Sequence, residues 1–145
     1  MKILLAVDLS NDSEAAVRAV LSQYRPQDAE VRVLHVLQPI TFSPAPQMAA
    51  SYAPELEQEG GEAKGLVERV AGQLRRAGFS AEAVITKGDT RETIVNTAAE
   101  WPADVIVIGS RGKGGLRRLL LGSVAEFVAR HAPCSVLIAR PASRP

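Results

Sequence analysis

Five short apolar runs punctuate the chain: Ile3 to Val7, Val31 to Leu37, Ala81 to Thr86, Val105 to Ile108 and Ser135 to Ala139. Each is four to seven residues long and bounded by turn or helix signals, the pattern of strands. Between them the apolar positions recur at helical spacing. Val17, Val20, Leu21 and Tyr24 stand at i, i+3, i+4 and i+7, behind an Asn11 and Glu14 pair that reads as a capping box, and Pro26 ends the stretch. Ala63, Leu66, Val70, Leu74 and Ala77 form a second stripe, predicting a helix from near Pro54 to Gly78 whose early turns Gly60 and Gly61 weaken. A third helix is predicted from Thr90 to Glu100, closed by Pro102. A fourth places Val124, Phe127, Val128 and His131 on one face before Pro133.

Strands and helices thus alternate, β-α-β-α-β-α-β-α-β. Parallel neighbours need crossover helices, and right-handed crossovers cover both faces of the sheet, so the pattern predicts one doubly wound α/β domain spanning residues 1–145. Strand character suggests positions within it. ILLAV and VIVI are apolar on both faces and belong in the middle, whereas AEAVIT interleaves a charge and suits an edge. An open five-stranded parallel sheet in the order 3-2-1-4-5 satisfies both. The last strand, SVLIA, then exposes an apolar edge, and a homodimer joined across Ser135 to Ala139 is expected to cover it. One connection, residues 38 to 54, carries four prolines without a regular period and is expected to be a lid or a disordered loop.

Composition narrows the partners. The 145 residues are 46% hydrophobic and 23% charged, as in ordinary globular domains. The formal net charge of +1 creates no overall field toward nucleic acid or anionic lipid, so neither nucleic acid nor a membrane is expected as a partner. The apolar start MKILLAV is shorter than a secretory core, and no run approaches the ~20 residues of a bilayer span. A single Cys134 excludes an internal disulfide and suits a cytoplasmic setting. The two histidines and one cysteine have no zinc-type spacing.

The stretch GSRGKGGLRRLLLGS, residues 109 to 123, holds five glycines and four cations and no acid. In the order 3-2-1-4-5 it leaves the fourth strand at the point where winding reverses, beside AVDLSND from the first strand, and it ends at the amino terminus of the fourth helix. Ligands of open α/β sheets bind at that point, and helix amino termini attract phosphate. Gly109 and Gly112 are expected to bend the chain into a nest of N–H groups, with Arg111, Lys113, Arg117 and Arg118 adding charge. Ser123 and Glu126 also read as a capping box. The stretch matches neither the P-loop nor the dinucleotide fingerprint.

The spacing Gly109, two residues, Gly112, nine residues, Gly122, Ser123 closely resembles the G-2x-G-9x-G-[ST] signature of the ATP-binding universal stress proteins. The likeness extends to the Asp in AVDLS, the LHV at the end of the second strand and the GSVAEFVARHAPCSVLIAR ending. It implies the fold that this family shares with adenine nucleotide alpha hydrolases, and a stress-response module that binds ATP with Mg²⁺ or Mn²⁺. It implies the contacts as well. Ala6, Val7 and Asp8 meet adenine or ribose, and the Val36 backbone bonds the adenine edge. Gly109 lies by the ribose, Arg111 and Gly112 lie along the phosphates, and Gly122, Ser123 and Val124 hold the outer phosphates. The chain departs from the family at Arg111, where members often carry His, and at Ala125, where some carry a hydroxyl residue.

Other functions stay open on residues alone. Slow ATP hydrolysis or adenylate formation is compatible with the topology, although VDLSNDS lacks the glycines of an adenylating S-G-G-x-D-S loop, and no Lys, metal-bound carboxylate and water-positioning residue stand together in the two loops. A dimerisation module with an empty cleft is the other alternative.

Overall fold

The computed structural model of the chain describes residues 1–39, 46–111 and 121–141. The elements follow in the order β1 (Lys2–Ala6), α1 (Asn11–Gln23), β2 (Glu30–Leu37), α2 (Pro46–Arg76), β3 (Ser80–Lys87), α3 (Thr90–Glu100), β4 (Val105–Gly109), α4 (Ser123–His131) and β5 (Ser135–Ala139). A short 3₁₀ turn over Pro26–Asp28 joins α1 to β2. The strands form one sheet in the order β3-β2-β1-β4-β5, and every pairing is parallel. This is the doubly wound, Rossmann-like sheet that the alternation of strand and helix patterns predicts.

The two-residue period of the strands divides the core. Ile3 and Leu5 of β1, Val31 and Val33 of β2 and Val105 and Val107 of β4 face α1 and α2, where they meet Val17, Val20, Leu66, Val70 and Leu74. Leu4, Ala6, Leu34, Ile106 and Ile108 point the other way, onto Ile94 and Ala98 of α3 and Val128 of α4. Strands β1 and β4 therefore lack a polar face, as expected of a parallel sheet covered on both sides. Each fully buried Leu, Ile or Val among them contributes about 1.5–3 kcal/mol of transfer free energy. Cys134 packs half-buried on the second face, and burial pushes its thiol above the ordinary range, with Asp104 adding to the rise against a backbone hydrogen bond at Ile106. It is a small apolar residue there.

Helix α2 differs from its prediction. It begins at Pro46, not near Pro54, so residues 46–54 of the expected loop are helical, and residues 40–45 of that loop lie outside the described residues. Pro46 stands in the first turn, where its missing N–H has no intrahelical partner, and the Gln, Met and Ala that follow are good helix formers. Pro54 therefore interrupts a helix already under way. At the other end, Gly78 takes φ +99°, Gly78 N donates to Arg75 O at 2.9 Å, and Phe79 N donates to Leu74 O at 3.0 Å. Leu74 and Phe79 are both buried, which completes a Schellman stop. Ala77 of the predicted stripe lies past the helix end and is exposed.

At the sheet's end no further described strand pairs with β5, whose Val136, Leu137 and Ile138 are only partly buried. Among the described residues no helix is long and apolar enough to cross a membrane.

The Gly78→Ala substitution is expected to destabilise the protein by about 1–3 kcal/mol, because alanine must adopt the left-handed backbone that closes α2. Urea unfolding, read as a lower midpoint with unchanged slope, checks this.

Candidate functional site

Because β1 leads to α1 on one face and its neighbour β4 leads toward α4 on the other, the sheet parts at the carboxyl ends of these two strands. A cleft of about 590 Å³ opens there. Nine of the sequence-predicted residues line it: Ala6, Val7, Asp8, Val36, Gly109, Arg111, Gly122, Ser123 and Val124. Gly112 lies outside the described residues.

The β1 side is a knot of short polar bonds. Asp8 Oδ1 accepts from Ser10 N and from Ser13 Oγ, each at 2.9 Å, and Asp8 N donates to Ser13 Oγ at 2.7 Å. These bonds draw Ser10 into the N-cap position of α1, where its hydroxyl accepts from Ser13 N at 3.2 Å. Asn11 is thus the first helical residue, and the predicted pair of Asn11 and Glu14 is not the cap. Asp8 stands at the strand end with its carboxylate oriented by two serines.

The β4 side depends on Asp12, which the linear pattern does not single out. An acid in the first turn of a helix is expected for the macrodipole alone, and its partners lie 98 and 99 residues away. Its side chain is only 6% exposed. Asp12 Oδ2 accepts from Ser110 Oγ at 2.7 Å, from Arg111 N at 2.9 Å and from Arg111 Nε at 3.4 Å, while Oδ1 accepts from Arg111 Nη2 at 3.3 Å. One carboxylate of α1 thereby ties down the chain as it leaves β4.

Gly109 serves this junction rather than a bend. It is the last residue of β4 in ordinary extended backbone. A Cβ there would stand 2.6 Å from the Asp12 carbonyl oxygen and 2.8 Å from its Cβ. Nor do the first amides beyond β4 form the expected nest: Ser110 N donates to Ala139 O at 2.9 Å, and Arg111 N is held by Asp12.

The amino terminus of α4 offers what those amides do not. Gly122 N donates to Ser110 O at 2.7 Å, and this bond places Gly122 at the N-cap, where no side chain caps the helix. Ser123 is accordingly the first helical residue, not the capping residue, and Glu126 pairs instead with Arg130 at 3.1 Å. The first intrahelical bond is Glu126 N to Gly122 O at 2.9 Å. The amides of Ser123, Val124 and Ala125 precede it and have no intrahelical acceptor. All three residues line the cleft.

The β2 side is apolar, with Leu34 and Val36 in the lining. Val7 N donates to Leu34 O, so Leu34 directs its peptide groups toward β1. Val36, two residues on, directs its own to the same side, past the end of β1 and into the cleft. His35 Nδ1 donates to Val7 O at 2.8 Å and braces this corner. Leu66 and Ala63 of α2 and Ile94 of α3 complete the apolar walls, and Gln38 Nε2 donates to Thr90 Oγ1 at 3.1 Å across the rim. Ala63 and Leu66 stand in the apolar stripe of α2, and nothing in its spacing marks them as cleft residues, because an apolar residue facing a cleft has the same helical spacing as one facing the core.

Known proteins resemble the chain along its length. The family described as the universal stress protein family matches residues 1–140. Universal stress protein YxiE of Bacillus subtilis is 32% identical over 145 residues, covering 96% of this chain and 98% of its own. The solved structure of protein MJ0577, from Methanocaldococcus jannaschii, superposes with a TM-score of 0.83 at 30% identity, covering 99% of this chain and 97% of its own. The universal stress protein of Archaeoglobus fulgidus in complex with dAMP superposes with a TM-score of 0.71 at 25% identity, covering 96% of this chain and 97% of its own.

Gly109→Ala is expected to cost about 1–3 kcal/mol, since the new methyl group must displace the first turn of α1 from β4. Chemical denaturation measures this loss. An unchanged midpoint would mean that the junction yields without strain.

Proposed function

The chain belongs to the universal stress protein family, and on that premise we propose that its switch-point cleft binds an adenine nucleotide, ATP in particular, as a nucleotide-dependent regulatory module. The observation that carries this is the amino terminus of α4, which no side chain caps and whose first residues, Ser123, Val124 and Ala125, line the cleft. Such a terminus combines N–H donors that lack an intrahelical acceptor with about half a positive charge, the combination that phosphate takes up. The dAMP complex of the Archaeoglobus fulgidus relative supports adenine as the base.

The remaining residues fit the parts of that ligand. The cleft, at about 590 Å³, is of the size that encloses small cofactors. The Val36 peptide groups meet the adenine edge, with Ala6 and Val7 beside the base. The Asp8 carboxylate accepts from ribose hydroxyls in the orientation set by Ser10 and Ser13. Gly109 keeps the ribose end open, Arg111 and Gly112 run along the phosphates, and Gly122, Ser123 and Val124 take the outer ones. Mg²⁺ or Mn²⁺ arrives on the phosphates. The protein works in the cytoplasm as a homodimer joined along the outer edge of β5, where Val136, Leu137 and Ile138 are only partly buried. Nucleotide occupancy changes the surface that a partner protein reads.

Titration calorimetry with ATP, ADP and AMP, with and without Mg²⁺, tests the assignment. Gly122→Val is expected to weaken ATP binding at least about tenfold, because its side chain enters the space of the phosphates beside the α4 amides. Asp8→Ala is expected to cost about 1–2 kcal/mol through a lost charge-assisted hydrogen bond. Unchanged affinity in both variants, each shown to be folded by circular dichroism, would overturn the assignment.

A further inference from the structure

The buried Asp12 carboxylate and the Arg111 guanidinium form a fork between α1 and the exit of β4. Arg111 lines the cleft with its side chain 23% exposed, yet two of its guanidinium nitrogens, Nε and Nη2, donate to Asp12. Asp12 itself is locked in place. It also receives Ser110 Oγ and Arg111 N, and Gly109 allows its backbone to rest on β4. A guanidinium held by a buried, fixed carboxylate presents little net charge to a neighbour, because the attraction of one is offset by the repulsion of the other.

We propose that Asp12 is a positioning residue for the cleft: it fixes the Arg111 guanidinium and offsets the charge that Arg111 brings to the phosphates, and so sets how far the cleft favours a triphosphate over a monophosphate. This rests on the nucleotide assignment above. The described lining otherwise carries the acids Asp8, Glu59 and Glu62. A released Arg111 would therefore be felt most by the ligand with the most phosphate charge. Adenine and ribose contacts, common to AMP and ATP, would not register it.

The test is the ratio of ATP to AMP affinity, measured by calorimetry on the full chain at fixed salt and without divalent cation. Asp12→Asn keeps the shape and removes the charge that holds Arg111. It is expected to raise the ratio about 3- to 10-fold and to make ATP binding more sensitive to salt. In the Arg111→Ala background the same Asp12→Asn change is expected to move the ratio less than about twofold, since the effect passes through Arg111. Arg111→Lys keeps the cation but loses the planar fork that Asp12 holds, and is expected to raise the ratio in the same direction, reporting even where Asp12→Asn does not fold. A purely structural role would weaken both nucleotides equally. An unmoved ratio, a lowered ratio, or a gain that persists without Arg111 overturns the proposal while nucleotide binding stands. Wild-type protein that binds neither nucleotide removes the assignment and this inference together.

Discussion

The contact on which the cleft depends is the one between the first turn of α1 and the end of β4. Two strands adjacent in the sheet send their chains to opposite faces, and the gap that opens between them must be held at a defined width. Here Gly109 lets the Asp12 backbone come closer than any Cβ would permit, and the Asp12 carboxylate then bonds both residues that follow. Packing and hydrogen bonding act at the same point. Loss of either leaves a buried carboxylate short of partners, one of the costlier defects in a protein interior.

From that junction the geometry passes along the chain. Ser110, held by Asp12 through its hydroxyl, accepts from Gly122 N through its carbonyl. The same residue therefore links α1 to the start of α4. This carries the first amides of α4, which have no intrahelical acceptor, to the cleft, where glycine, with no side chain to occupy the cap, stands at the helix entrance. A capping serine there would have satisfied one of these amides internally. The lack of a side-chain cap costs helix stability and leaves the first amides without an internal acceptor, the arrangement found where a helix terminus serves a ligand.

The opposite wall shows a simpler device. β1 stops while β2 continues, so Val36, still paired with β3 on one side, keeps the peptide orientation of a sheet residue with no strand on its β1 side. Strand length alone creates a hydrogen-bonding edge at the cleft. His35 fills the corner by bonding Val7 O, so the end of β1 is not frayed.

Much of this was legible in the chain. The five apolar runs, their alternation with helical stripes and the fully apolar character of ILLAV and VIVI determined a parallel sheet, its order and hence the place of the cleft, because burial on both faces leaves little freedom in arranging such strands. Glycine and serine spacing pointed to the residues around the opening. Only the tertiary structure decided their roles. Ser10 displaced Asn11 as cap because Asp8 pulls it in, Gly122 displaced Ser123 because Ser110 bonds it, and Gly109 proved to serve a close approach instead of a turn. Asp12 was silent in the sequence, since an acid in a first helical turn has a local explanation and its partners stand nearly a hundred residues away. Local pattern records which face of an element is buried; which atoms meet across the sheet depends on distances of a few tenths of an ångström that exist only after packing.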